Sequence, residues 1–213
     1  FFRVLMGKEG GLSAFCHLLL AVSTFYHVVC DPFGLGTCIF LVFGLSQLCV
    51  KIIKHACKHV ALACGYGGPS AFWRRPLNSP RPPDSPGFPS SHTSNCASIS
   101  LFIALETGWN PMWAVALTFA MAMGRMQDNN HTWPQTIAGV IIGPLLGVGA
   151  HLIAMNFQLG HMLESNSPYQ LQWKCICVAT LFTGFAFFMG DTLPVWMDTL
   201  RKYLPFKSRN KAN

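Results

Sequence analysis

Long apolar segments constrain this chain most, because a helix that crosses a bilayer needs roughly 20 mostly apolar residues. Four segments approach or reach that length, and two shorter ones stand among them; in chain order they are 11–30, 33–53, 94–107, 112–124, 133–155 and 173–189. Prolines, which stop helices, separate some of them, as in Asp31-Pro32 and Asn110-Pro111. The pattern predicts an all-α, polytopic membrane helix bundle with about six transmembrane helices.

The charge composition supports the same class. Only 11% of residues are charged and the mean hydropathy is +0.37, whereas soluble domains carry roughly 25% charged residues. The formal charge of +7 would suggest nucleic-acid binding in a soluble protein. Here the basic residues flank apolar segments, so we expect anionic lipid headgroups or phosphate as their partners and no nucleic acid. Many of them are Lys51, Lys54, Lys58, Arg74, Arg75, Arg81, Arg201, Lys202, Lys207, Arg209 and Lys211.

The domain organisation is simple. We expect one integral membrane domain over residues 1–213, with a basic tail at about 201–213. A Pro/Gly/Ser-rich loop runs from about 65 to 91 and holds seven of the 14 prolines; loops this long are usually functional or disordered. Because the chain starts at Phe1 rather than Met, we expect it to be processed or incomplete. The cysteines lack zinc-ligand spacing, so no metal or other cofactor is expected.

Two short motifs carry the chemistry. Pro89-Ser90-Ser91-His92 stands at the start of one apolar segment, and Arg125 precedes His131 at the start of another. Basic side chains beside hydrocarbon are costly and need partners, and a bound phosphate would be a natural one. Helix N-termini also bind anions, and a neutral imidazole can attack phosphorus without losing a proton.

These motifs resemble the type 2 phosphatidic acid phosphatase superfamily, whose site combines Lys-x6-Arg-Pro, Pro-Ser-Gly-His and Ser-Arg-x5-His-x3-Asp elements. The strings at 87–92 and 131–135 are most similar to the dolichyl diphosphatase branch and its plastid relatives. In that branch serine commonly replaces the glycine, and glutamine the final aspartate. The resemblance covers about residues 74 to 143, and it implies the helical core shared with haloperoxidases.

The resemblance also implies a metal-independent reaction and a role for each matching residue. His131 would attack phosphorus to give a phosphohistidine that water hydrolyses, His92 would protonate the leaving oxygen, and Gln135 would orient His131. The residues expected to bind phosphate are Arg74, Arg81, Ser90, Ser91 and Arg125. The implied substrate is a lipid phosphate or diphosphate, first a polyprenyl (dolichyl-type) diphosphate and second phosphatidate.

The first element departs from the family pattern. Arg74 occupies the lysine position, and Arg75-Pro76 is a rival to Arg81-Pro82 for the Arg-Pro pair. Two lysines could serve instead of Arg74 if a loop has been inserted after them: Lys51 and Lys54. In the third element, Gly124 replaces the serine before the arginine.

These departures keep a second hypothesis open, an inactive member of the same fold that serves as a structural subunit of a larger membrane complex. A transporter or channel is a third hypothesis, with less support because the chain lacks a pattern of intramembrane acids. The remaining histidines in apolar segments, His17, His27 and His151, are interpreted as core residues. The branch resemblance favours the endoplasmic reticulum, with plastid or mitochondrial membranes as alternatives.

Overall fold

The computed structural model describes residues 11–30, 35–68, 71–79 and 85–156. These residues form five helices, namely α1 (Gly11–Cys30), α2 (Leu35–Ala63), α3 (Ser91–Thr107), α4 (Met112–Gln127) and α5 (Trp133–Asn156). In the described part of the chain there is no strand, only an isolated antiparallel bridge between Arg74 and Pro86. The all-α prediction is therefore confirmed for these residues.

Three helices are long and apolar enough to cross a membrane: α1, α2 and α5. With 17 and 16 residues, α3 and α4 are shorter. The predicted segment 173–189 and the basic tail lie outside the described residues. The total of about six spans thus stays a prediction, while the apolar helices indicate a membrane protein.

Helix α2 differs most from its predicted bounds, because it continues ten residues beyond position 53 to Ala63. The lysine group therefore lies on the helix rather than after it, as lysine and alanine favour helical structure. A Schellman motif ends the helix: Tyr66 N donates to Ala61 O at 2.8 Å and Gly65 N to Leu62 O at 3.1 Å. Gly65 has φ +80°, the left-handed conformation that this motif requires.

Helix α3 is the central element and contacts each of the other four helices. One side packs on α2 through a core of Ile39, Val42 and Phe102. Beside this core, Ser46 Oγ donates to Asn95 Oδ1 at 2.8 Å, so buried polar groups are also paired across the two helices. These contacts fix α2, which carries the lysines, against the helix that carries His92.

Glycines bring α5 close to α3. A Cβ on Gly143 would lie 2.5 Å from Ser94 O, and one on Gly147 would lie 2.6 Å from Ser98 O. Small residues let membrane helices approach closely, and Gly143 and Gly147 do so here. Gly149 has nothing within 4 Å of such a Cβ and does not take part.

The outer faces of the long helices are apolar and exposed. Large examples on α1 and α5 are Phe25, Tyr26, Val29, Ile141, Leu145 and Leu152. Extended apolar surface of this kind is unusual on a soluble monomer. It suits contact with lipid chains.

Candidate active site

Backbone hydrogen bonds join the two motifs at one end of the bundle, where α3 and α5 begin and α4 ends. Ser90 N donates to Gln135 O at 2.9 Å, and His131 N donates to Arg125 O at 3.3 Å. Ser90, Arg125, His131 and Gln135 are all buried. The structure therefore gathers the predicted serine, arginine, histidine and glutamine into one cluster.

The Gln135 side chain is completely buried. Its hydrogen bonds fix the orientation of the amide group. Its Nε2 donates to the carbonyl oxygens of Phe72, at 3.0 Å, and Arg74. Its Oε1 accepts a hydrogen bond from Thr132 N at 3.2 Å. Because carbonyl oxygens can only accept, the amide nitrogen must face Phe72 and Arg74, and Oε1 must face the start of α5.

That orientation sets the tautomer of His131. Its Nδ1 lies 3.1 Å from Gln135 Oε1, which is an acceptor, so Nδ1 carries the proton and donates. In the neutral ring, Nε2 then holds the lone pair. Burial, followed by the charges of Arg125, Arg75 and Lys54, holds the pKa of His131 well below its ordinary value of 6.5, although the Gln135 hydrogen bond opposes this. The ring is therefore neutral and able to act as a nucleophile at pH 7.

Three positively charged side chains, those of Arg75, Lys54 and Arg125, act electrostatically on this ring. Arg75 is buried; its Nη1 donates to Asn130 O at 3.0 Å and its Nε to Ser85 Oγ at 2.8 Å. Lys54 is also buried, and its Nζ donates to Pro86 O at 3.3 Å. Arg125 Nη1 lies 4.0 Å from Asp128 Oδ2. Three cations on three different segments thus act on one imidazole.

Among the alternatives for the first element, the structure places Lys54 and Arg75 within electrostatic reach of His131. The Arg74 guanidinium lies over the Trp73 ring instead, with Cζ 5.1 Å from its centroid. A phosphate-binding role for Arg74 stays a prediction, and Arg81 lies outside the described residues. The Arg-Pro pair at 75–76 was a sequence signal for Arg75, but no pattern at fixed spacing could have selected Lys54.

The segment that carries Arg74 and Arg75 packs over Gln135, together with Gly87. Gly87 N donates to Trp73 O at 2.6 Å. A Cβ on Gly87 would lie 2.8 Å from both polar atoms of the Gln135 amide, so only glycine fits without displacing that side chain. Gly87 belongs to the string at 87–92, but its steric role could not be inferred from the sequence.

The first turn of α3 has backbone N–H groups of the kind that can bind anions. Ser90 makes no side-chain capping hydrogen bond, and its Oγ instead accepts from Thr93 Oγ1 at 3.0 Å. Backbone N–H groups in a first helical turn lack intrahelical acceptors and favour anions. Ser91 and His92 are half-buried on this turn.

Other histidines depart from the core interpretation. The His17 ring packs against His92 with centroids 5.0 Å apart and an interplanar angle of 89°. His151 is partly exposed and lies 2.8 Å from Glu106 at the far end of α3 and α5, so interpreting it as a core residue was wrong. His27 is buried as expected. The contact between His17 and His92 had no sequence signal, because the two residues are distant in the chain.

Comparison with known protein families matches residues 35–158, more than half of the chain, to the PAP2 superfamily. The chain belongs to the PAP2 superfamily. The match contains the predicted residues of the second and third elements as well as Lys54 and Arg75. Comparisons with curated proteins and with solved structures find no match.

PAP2 membership is consistent with a membrane-bound lipid phosphatase and with lipid phosphates as substrates. The PAP2 match begins at residue 35. Helix α1, which carries His17, lies before it.

Proposed function

We propose that this protein is an integral membrane phosphatase that hydrolyses a lipid phosphate or diphosphate through a phosphohistidine on His131. The observation that carries the proposal is the contact between His131 Nδ1 and Gln135 Oε1, 3.1 Å long and buried. It leaves Nε2 as the unprotonated atom of a ring on which three cations act electrostatically. A neutral nucleophile beside fixed positive charge is what attack on an anionic phosphate requires.

The proposed reaction has two steps. His131 Nε2 bonds to phosphorus while the bond from phosphorus to the leaving oxygen breaks, and His92 donates a proton to that oxygen. His92 then accepts a proton from water, whose oxygen attacks phosphorus and releases the phosphate from His131. Gln135 Oε1 accepts the Nδ1 hydrogen bond throughout and keeps the ring oriented.

The phosphate oxygens would be held by positive charge and by the start of α3. We assign Arg125, Ser90 and the backbone of Ser91 to this role, together with Lys54 and Arg75 as the first-element cations. The burial of Lys54 and Arg75 and their electrostatic effect on His131 support the assignment. Arg74 and Arg81 remain proposed contributors to phosphate binding.

The first proposed substrate is a polyprenyl (dolichyl-type) diphosphate, and the second is phosphatidate. The basis is the similarity of the strings at 87–92 and 131–135 to the dolichyl diphosphatase branch. The same similarity makes the endoplasmic reticulum the first proposed location, with plastid or mitochondrial membranes as alternatives. The apolar outer faces of α1 and α5 support the proposal that the site lies at a membrane boundary, where lipid headgroups lie.

The test is phosphate release by the purified full chain, in detergent micelles that contain dolichyl diphosphate or phosphatidate. We expect release by the wild type and none by His131→Ala. Arg125→Ala should lose about a hundredfold or more, the usual cost of removing one preorganised donor. His151→Ala is the matched control, because it removes an imidazole at the far end of the bundle.

Trapping the intermediate makes the test more specific. Rapid acid-free quenching with a labelled substrate should give a phosphohistidine in the wild type and none in His131→Ala. Activity that survives His131→Ala would refute the mechanism. A wild type that releases no phosphate from any lipid phosphate would favour the structural-subunit hypothesis instead.

A further inference from the structure

A third imidazole lies at the proposed site and comes from outside the PAP2 match. His17 on α1 packs edge to face with His92, at a centroid distance of 5.0 Å. Ser13, one turn before His17, packs against Gly124, the residue before Arg125, so the start of α1 lies beside the segment that carries this arginine. His17 therefore belongs to the surroundings of the site.

The His17 ring is held by its own helix. Its Nδ1 lies 2.8 Å from the carbonyl oxygen of Ser13, one turn earlier. Because a carbonyl only accepts, Nδ1 is the donor, and this hydrogen bond fixes how the ring is turned. The His92 side chain is half-buried on the first turn of α3.

Gly124 lets α1 approach closely enough for this contact. A Cβ on Gly124 would lie 2.6 Å from Ser13 N and 2.9 Å from Ser13 Cβ. Backbone cannot move away as a flexible side chain can, so any larger residue would displace this part of α1. The replacement of serine by glycine before Arg125 is thus matched by a helix packed against that position.

We propose that His17 is a positioning residue for His92. By packing against the His92 ring, it restricts that ring to the orientation from which it can protonate the leaving oxygen. The proposal depends on the proposed function, since it assigns His17 to the acid step of the same reaction. His17 itself transfers no proton and forms no bond in this scheme.

The acid step gives a readout that a purely structural role would not affect. Protonation matters for a strongly basic leaving group, such as the alkoxide released from phosphatidate. It matters much less for p-nitrophenyl phosphate, whose leaving group is stable as an anion. A general acid contributes about 10²–10⁴-fold, and a misplaced acid should lose part of that.

We therefore expect His17→Ala to lower kcat for phosphatidate by about tenfold to a hundredfold with little change in KM, as loss of a transition-state interaction does. Turnover of p-nitrophenyl phosphate should fall by less than about threefold, given how little it depends on the acid. His17→Phe, which keeps a flat ring in the same place, should restore most phosphatidate activity. His27→Ala is the matched control, because it removes a buried ring from the same helix ten residues away.

Gly124→Ser provides a second variant that leaves the histidines intact. It should displace α1 and give the same selective loss on phosphatidate. Full activity of His17→Ala, or equal losses on the two substrates, would overturn the positioning role while leaving the proposed function in place. A wild type inactive on every phosphate ester would instead mean that the proposed function has failed.

Discussion

Replacing Gln135 with glutamate separates what the family pattern suggests from what the structure requires. Aspartate-bearing relatives place a carboxylate behind the nucleophilic histidine, so the pattern suggests that an acid here would activate His131. In the structure, the glutamine amide nitrogen donates to the carbonyl oxygens of Phe72 and Arg74. A carboxylate has no hydrogen to donate and would turn an oxygen toward both of them.

The cost follows from the two lost donors. A fully buried carbonyl left without a donor costs about 1–3 kcal/mol, and these two are partly buried, so together they cost at most about 2–6 kcal/mol. Domains are stable by only about 5–15 kcal/mol, so Gln135→Glu should be strongly destabilising at pH 7. Protonation would give the new carboxyl one O–H donor, which can satisfy one of the two carbonyls. The destabilisation should therefore shrink as the pH is lowered.

The assay is the midpoint of thermal unfolding in detergent, measured at pH 7 and at pH 5. Gln127→Glu is the matched control, because it makes the same chemical change at an exposed position at the end of α4. It should shift stability by no more than about 0.5 kcal/mol. If Gln135→Glu were as stable as the wild type at pH 7, the amide orientation derived above, and with it the His131 tautomer, would be wrong.

Three further predictions concern the cations, the helix packing and the pH dependence of stability. Arg75→Ala should lower kcat by about a hundredfold or more. Arg74→Ala should lower kcat by less than about tenfold, because the Arg74 guanidinium lies over the Trp73 ring. Equal losses of kcat would contradict Arg75 as the first-element arginine. Gly143→Leu should abolish activity and lower the unfolding midpoint, because even a Cβ on Gly143 would lie 2.5 Å from Ser94 O. Gly149→Leu should unfold like the wild type, because nothing lies within 4 Å of a Cβ there. The pKa of His131 is lowered in the folded protein, so its contribution to stability is present above about pH 6.5 and is lost as the pH falls below that. The fall in unfolding midpoint from pH 7 to pH 5 should accordingly be smaller in His131→Gln than in the wild type, and parallel curves would refute the lowered pKa.

Several elements could be predicted from local patterns. Residues 11–30 are helical throughout, as the apolar segment predicts, because a spanning helix needs roughly 20 mostly apolar residues. Glycines at 143 and 147 are a local feature that permits a close helix contact, since small residues allow it wherever they face a neighbour. The end of α2 was placed ten residues early, because lysines at a membrane boundary do not by themselves stop a helix.

The candidate site likewise contains residues that the sequence could identify and residues that it could not. Ser90, Arg125, His131 and Gln135 could be selected because each motif is short and its residues keep a fixed spacing. The first-element cations could not be selected, because the Pro-rich loop separates Lys54 from Arg75 and the fixed spacing is lost. Gln135 was assigned an orienting role, but its two bonds to the 71–79 segment depend on how that loop folds back.

By itself, then, the sequence determined a helical membrane protein and predicted serine, histidine and arginine residues that act together at one membrane boundary. Apolar length and short motifs are local properties of a chain. Only the tertiary structure decided which cations face His131, which way the Gln135 amide points and that α1 brings His17 to His92. Those features arise from contacts between residues far apart in sequence. They depend on the close approach of backbones at positions such as Gly87 and Gly124, which no local pattern encodes.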